Sequence, residues 1–209
     1  MPSPPASYIA LMLIETEATP NPASLKFLPG RAVMGANGTR EFASPEAAEA
    51  SPLAQALFDI GDVTGVFFGA DFVTVTAAPG IAWADLKPSV LSVLLDHFVS
   101  QAPLFIPATG NGIAVPGEGD HGDEALLVEE DPANADIVVQ INELLETRVR
   151  PAVAGDGGDI RYRGFKDGVV YLAMQGACAG CPSSAATLKH GIEGLLKHYV
   201  PEVIEVRAA

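Results

Sequence analysis

An α+β protein of two small α/β sandwich domains is what this sequence predicts, and three observations predict it. Two glycine-bearing turns, Gly69-Ala70-Asp71 and Lys166-Asp167-Gly168, each separate short apolar runs at hairpin spacing. A stripe of apolar residues at helical spacing follows each hairpin, one reaching Gln101 and the other Tyr199. Between these two sets lies 102–131, which lacks periodicity and is rich in Gly and acidic residues. The expected orders are β-β-α-β-β-α over 8–101 and α-β-β-α-β over 132–209, joined by a flexible linker that leaves the domains independent.

In the first domain, residues 8–15 (YIALMLIE) read as a strand, and Ala18-Thr19-Pro20-Asn21-Pro22 as a proline-dense turn into a partner strand at 24–28. Ser51-Pro52 pairs an N-cap with proline at the first helical position and opens a short helix to Phe58. Strands at 63–68 and 72–76 flank the first hairpin turn. Trp83, Leu86, Val90, Leu91, Leu94, Leu95 and Phe98 then keep helical spacing, with Pro88 suited to the first turn of that helix. Asp59, Asp62 and Asp71 read as turn and cap residues, and nothing here carries chemistry.

In the second domain, Asp131-Pro132 opens a helix whose buried stripe is Ile137, Ile141, Leu144, Leu145 and Val149, with Pro151 ending it. Gly155-Asp156-Gly157-Gly158-Asp159 has neither calcium-loop spacing nor the lysine of a P-loop, so it reads as a tight helix-to-strand turn. Strands at 160–165 and 169–175 pair across Asp167-Gly168, a type I′ signal. A helix from Pro182 carries Leu188, Ile192, Leu195, Leu196 and Tyr199 on one face; Pro201 stops it, and 203–206 reads as a last strand.

Chemistry concentrates in Gly176-Ala177-Cys178-Ala179-Gly180-Cys181-Pro182, which holds both cysteines of the chain. Pro182 suits the first helical position, which sets Cys181 at the N-cap among unpaired N–H groups that favour a thiolate. The small neighbours leave both sulfurs uncovered in an exposed loop. Two thiolates are half of a four-sulfur site, and His97, His121, His190 and His198 all lie at offsets unsuited to complete it. Two copies of the chain about a two-fold axis bring two plus two sulfurs together. A dithiol–disulfide redox pair and an inter-subunit structural zinc site use the same residues.

Composition bounds the rest. The net charge of −14 excludes a nucleic-acid binder of ordinary kind and favours basic partner surfaces. Hydrophobic residues make up 48% of the 209, yet no apolar run approaches the ~20 residues of a membrane span. The start, Met1-Pro2-Ser3-Pro4-Pro5, has no basic region, and two cysteines give no disulfide framework. A cytoplasmic protein is expected.

The second domain resembles the NifU-like carboxy-terminal domain of the Nfu family of iron–sulfur cluster scaffolds and carriers. The likeness runs through Arg150-Pro151, Asp156-Gly157-Gly158-Asp159-Ile160, Asp167-Gly168, Gly176-Ala177-Cys178-x-x-Cys181-Pro182, Thr187-Leu188, Gly191-Ile192-Glu193 and Pro201-Glu202. The first domain is similar to the Nfu amino-terminal domain through Glu15-x-x-x-Thr19-Pro20-Asn21-Pro22-x-x-Leu25-Lys26-Phe27, Ser51-Pro52-Leu53-Ala54 and Gly65-Val66-x-Phe68. The resemblance implies a carrier and not an enzyme: Cys178 and Cys181 of two subunits hold a [4Fe–4S] cluster, received from upstream assembly proteins and passed to apo recipient proteins. It implies a homodimer on cluster binding, with no nucleic acid or membrane partner. Against a thioredoxin-like dithiol oxidoreductase, only about 30 residues follow Cys178, too few for that fold's downstream elements.

Overall fold

Alternation along five short strands builds the amino-terminal lobe. A computed structural model describes residues 13–106, 131–179 and 182–209, with backbone alone for 182–185. Most of the expected linker, residues 8–12 of the expected first strand, and the N-cap placement of Cys181 lie outside the described residues. Strands β1 (Glu15–Ala18), β2 (Ser24–Leu28), β3 (Arg40–Phe42), β4 (Val63–Phe68) and β5 (Val73–Ala77) form an antiparallel sheet ordered β1-β2-β5-β4-β3. Phe27, Phe42, Val66, Phe68, Val73 and Val75 point to one face, where they pack with Leu53 and Leu57 of α1 (Pro52–Phe58) and Leu86, Val90 and Leu94 of α2 (Trp83–Ser100). Ser51 caps α1, its hydroxyl accepting from the Ala54 N–H at 3.3 Å, as the Ser-Pro signal predicts.

Three expectations in this lobe need correction. Among the described residues the first strand is Glu15–Ala18, and Leu13 and Ile14 of the expected 8–15 lie before it: it is an exposed edge strand held by its ladder to β2, so apolar content is no guide to it. Strand β3 is three residues long, too short for a period to register. Pro88 lies inside α2, five residues beyond its first, where the missing N–H leaves the Ala84 carbonyl without its usual helical donor.

The carboxy-terminal lobe has its own core. A 3₁₀ turn (Pro132–Asn134), capped by the Asp131 carboxylate, leads into α3 (Ala135–Leu144), a π-helical turn (Leu145–Val149) and α4 (Arg150–Gly155). Pro151 therefore does not end this helix. It enters just after the π turn, which is closed by the Arg150 N–H reaching the Leu145 carbonyl, and the chain runs on to Gly155. Buried Ile141, Leu145, Val149 and Val153 recur every four residues, a spacing that drifts off a 3.6-residue period. The wider π turn offsets that drift and keeps the stripe on the sheet.

That sheet holds β6 (Gly158–Lys166), β7 (Val169–Gly176) and β8 (Glu205–Ala208), ordered β6-β7-β8. The hairpin turns with Asp167 at φ 51° and Gly168 at φ 78°, both positive as a type I′ turn requires. Helix α5 (Pro182–Tyr199) crosses over to bring β8 parallel to β7. Ile192 and Leu196 fill the core, but Tyr199 is 44% exposed and Val200 takes its buried place. Tyr199 instead accepts a hydrogen bond from Arg148 at 3.0 Å, which also stacks over its ring. Leu196→Ala should lower stability by about 2–5 kcal/mol, the range for deleting a buried leucine, measured by urea unfolding of the apo-protein.

Candidate functional site

Three glycines decide how the cysteine loop sits. Gly157 ends the turn after α4 with φ 84°, a conformation that side chains resist. Its carbonyl accepts from the Ala177 N–H at 3.2 Å, which fastens the cysteine loop to the turn. At Gly158 a Cβ would fall 2.8 Å from the Cys178 sulfur, so the thiol occupies the space a side chain would take. Gly176, at φ 65°, bends the end of β7 so that Cys178 turns back over β6.

Cys178 is consequently buried, 6% exposed, and belongs to the carboxy-terminal core with Ile160 and Leu172. This corrects the expectation of an uncovered sulfur: small neighbours permit close packing as readily as exposure, and here packing wins. Burial pushes the thiol up to about 12, with the Asp156, Asp159 and Glu41 carboxylates adding to the shift. Cys178 is thus held as a thiol in this arrangement. Cys181 lies outside the described residues.

Asp159 anchors the neighbouring strand. It is 3% exposed, and its carboxylate takes a two-pronged contact from Arg150, Nε to Oδ1 at 2.8 Å and Nη2 to Oδ2 at 2.7 Å. Thr39 Oγ1 donates to Oδ2 at 2.7 Å and the Ile160 N–H to Oδ1 at 2.8 Å. Burial pushes this carboxyl upward, but the Arg150 and Thr39 hydrogen bonds together with the Arg150 charge outweigh it and hold it below the ordinary carboxylate range. Arg150 is held further protonated by the same pair, despite its burial. Arg150 and Asp159 stand in the motifs quoted above, but nothing in their spacing revealed that they pair.

Thr39 belongs to the other lobe, and it is one of several contacts across to it. The Gly176 N–H donates to Glu41 Oε1 at 2.9 Å, Asn21 Nδ2 donates to the Ala179 carbonyl at 3.4 Å, and Arg161 Nη2 donates to the Thr39 carbonyl at 2.7 Å. The lobes are therefore not independent as expected. Among the described residues no cluster of three or more His, Cys, Asp or Glu could hold a metal ion, and no helix is long and apolar enough to cross a membrane. Among the described residues Gln175 Oε1 is a buried acceptor without a hydrogen-bond partner.

Residues 14–101 match the family described as scaffold protein Nfu/NifU N terminal, and residues 141–207 match the NifU-like domain. The "NFU1 iron-sulfur cluster scaffold homolog, mitochondrial" of Drosophila ananassae is 45% identical over 195 residues, covering 93% of this chain and 63% of that protein. "NifU-like protein 5, mitochondrial" of Arabidopsis thaliana is 47% identical over 194 residues, covering 92% of this chain and 66% of that one. The chain thus spans a little under two thirds of the length of these relatives. The solution NMR structure of a NifU-like protein from Saccharomyces cerevisiae overlaps 50% of the chain and 93% of its own, with 22% identity and a TM-score of 0.43, too slight a likeness to bear on the fold. The relatives' names overturn the expected cytoplasmic location, since these proteins are named mitochondrial. Free thiols ask for a reducing compartment and do not single out the cytoplasm.

Two outcomes follow from the titrating groups. Because its folded pKa is depressed, Asp159 contributes stability that is present above its unfolded value and lost as pH falls through the folded one. Arg150→Ala should therefore cost about 3 kcal/mol near neutrality, the scale for breaking a buried pair, with the gap to the parent closing in acid. In the Cys181→Ser protein, the alkylation rate of Cys178 should still be climbing well above pH 9; a plateau near that value would mean an ordinary solvated thiol.

Proposed function

Because the chain belongs to the Nfu family, joining an Nfu amino-terminal domain to a NifU-like domain, we propose that it is an iron–sulfur cluster scaffold or carrier. It holds a [4Fe–4S] cluster between two chains, through Cys178 and Cys181 of each, and passes it to apo-proteins by exchange of thiolate ligands. The observation that carries this reading is the donor set: the chain has two cysteines, with two residues between them, in the domain that matches NifU. Two sulfurs per chain fit a four-thiolate cluster only as a pair of chains, which makes the cluster-bound state a homodimer. The domains are 8–101 and 132–209, with 102–131 as linker.

The cluster is cargo, so the protein binds and releases and does not turn over a substrate. Its partners are upstream assembly proteins that supply the cluster and apo-proteins whose own thiolates displace Cys178 and Cys181. Neither nucleic acid nor membrane enters this cycle. The setting supported by the relatives' names is mitochondrial.

A dithiol oxidoreductase uses the same pair, and Cys178, buried with its pKa pushed up to about 12, must be uncovered before it acts in either role. Anaerobic loading with iron and sulfide should give about four iron per dimer, with a shift from monomer to dimer by light scattering. Cys178→Ser and Cys181→Ser should each abolish it equally. A stable cluster on a monomer, or mixed disulfides trapped only by Cys181→Ser, would overturn the reading, and as-isolated zinc without visible absorption would favour a structural zinc site.

A further inference from the structure

One row of side chains crosses all five strands of the amino-terminal sheet on the face away from α1 and α2. Glu17, Lys26, Thr74, Phe67 and Glu41 stand directly opposite one another in register, from β1 through β2, β5 and β4 to β3. A sheet with helices on one face ordinarily turns its other face to water. Yet Lys26, Thr74 and Phe67 are buried, at 7%, 0% and 1% exposure, and none of the three belongs to the helix-side core.

What covers them is the turn and loop around Cys178. Lys26 Nζ donates to the Gly155 carbonyl at 3.2 Å, and Thr74 Oγ1 donates to the Gly157 carbonyl at 2.7 Å. The Phe67 ring lies over Gly176, where a Cβ would come within 2.9 Å of it, while Glu41 accepts the Gly176 N–H. Within the row Lys26 Nζ also pairs with Glu17 Oε2 at 3.1 Å, while the contacts of Lys26, Thr74 and Glu41 to Gly155, Gly157 and Gly176 end on backbone of the other lobe, so the row recognises the shape of a glycine-rich loop. Beyond the row, Asn21 reaches the Ala179 carbonyl, between the two cysteines in sequence.

We propose that this row is a docking face for the chain's own cysteine loop, a cap that must lift before two chains can share a cluster. The inference rests on the cluster reading above for its consequence, though not for its geometry. A cluster bridging two chains brings two cysteine loops face to face, and a loop seated on its own amino-terminal lobe is not free to meet another. Capped monomer and bridged dimer therefore compete, and whatever favours one disfavours the other by the same factor. The cap is suited to release: each of its hydrogen bonds shifts the equilibrium by only about 2- to 10-fold. A recipient or donor protein that binds the amino-terminal row would open the loop by displacement.

The test uses the apo 209-residue chain with Cys181→Ser, so that Cys178 is its one thiol, and adds Thr74→Val together with Glu41→Ala. Thr74→Val keeps the β-branched shape and removes the donor. With the cap weakened, iodoacetamide should label Cys178 about tenfold faster at neutral pH, and small-angle scattering should show a larger radius of gyration, with the thermal melt unchanged. If the double variant melts early, Glu41→Ala alone carries the expectation at about threefold. Unchanged labelling and radius in a folded variant would overturn the proposal. A second arm loads the same variants, with Cys181 restored, with iron and sulfide, where faster loading than the parent supports the cap and equal loading argues against it. Faster labelling with no iron bound to any protein would keep the cap and sink the cluster reading; iron bound with unchanged labelling would do the reverse.

Discussion

The buried carboxylate of Asp159 is the constraint on which the arrangement turns. At 3% exposure it could not stay ionised alone, and Arg150 compensates it through two parallel hydrogen bonds. That pairing fixes α4 against the first residues of β6, and so fixes the glycine turn between them. The π turn just before Arg150 sits where it lets the buried stripe stay on the sheet while the guanidinium turns to Asp159. Thr39 then adds a third donor from the other lobe, so the group that orders the cysteine site internally also receives a contact of the cap. Arg161, reaching back to the Thr39 carbonyl, closes the exchange in the opposite direction.

Much of this fold is legible in the sequence because local signals agree with the tertiary outcome. The Asp-Gly turn, the Ser-Pro cap and the α5 residues Ile192 and Leu196 sit where spacing and turn chemistry put them. What escaped was set by distant parts of the chain. Strand β3 exists because Phe42 fills the helix-side core and Glu41 the opposite face, and three residues cannot show a period. Pro151 reads as a stop under α-helical rules, whereas a π turn ahead of it lets the helix go on.

The candidate cysteines stand out by residue type and spacing, whereas the state of Cys178 does not. Cys178 and its spacing to Cys181 stand out because few residue types hold a metal. Whether a sulfur is open or covered depends on what packs on it, and Gly158 and the other carboxy-terminal core residues around Cys178 lie apart from it in sequence. The outward row was hidden for a related reason: Lys26 and Thr74 alternate with apolar residues as any water-facing set does, and Glu41, between Arg40 and Phe42, shows no pattern at all. Polar alternation does not say whether water or another polar backbone will meet those groups.

On the proposed reading, a carrier that shelters one of its two ligating cysteines resolves a conflict inherent in the task. Open thiolates capture iron and are also the form that oxidants attack, so an empty carrier gains from keeping Cys178 as a buried thiol. Shelter built from core packing alone would hold the sulfur too firmly, since deleting core contacts costs several kcal/mol. The hold of the second lobe on the turn and loop around Cys178, made through polar contacts to backbone, is adjustable, because each contact is worth about 1 kcal/mol. On the proposed reading the amino-terminal lobe is thus part of the cluster cycle: it competes for the loop that the second chain must reach, and so sets how readily an empty site becomes an open one.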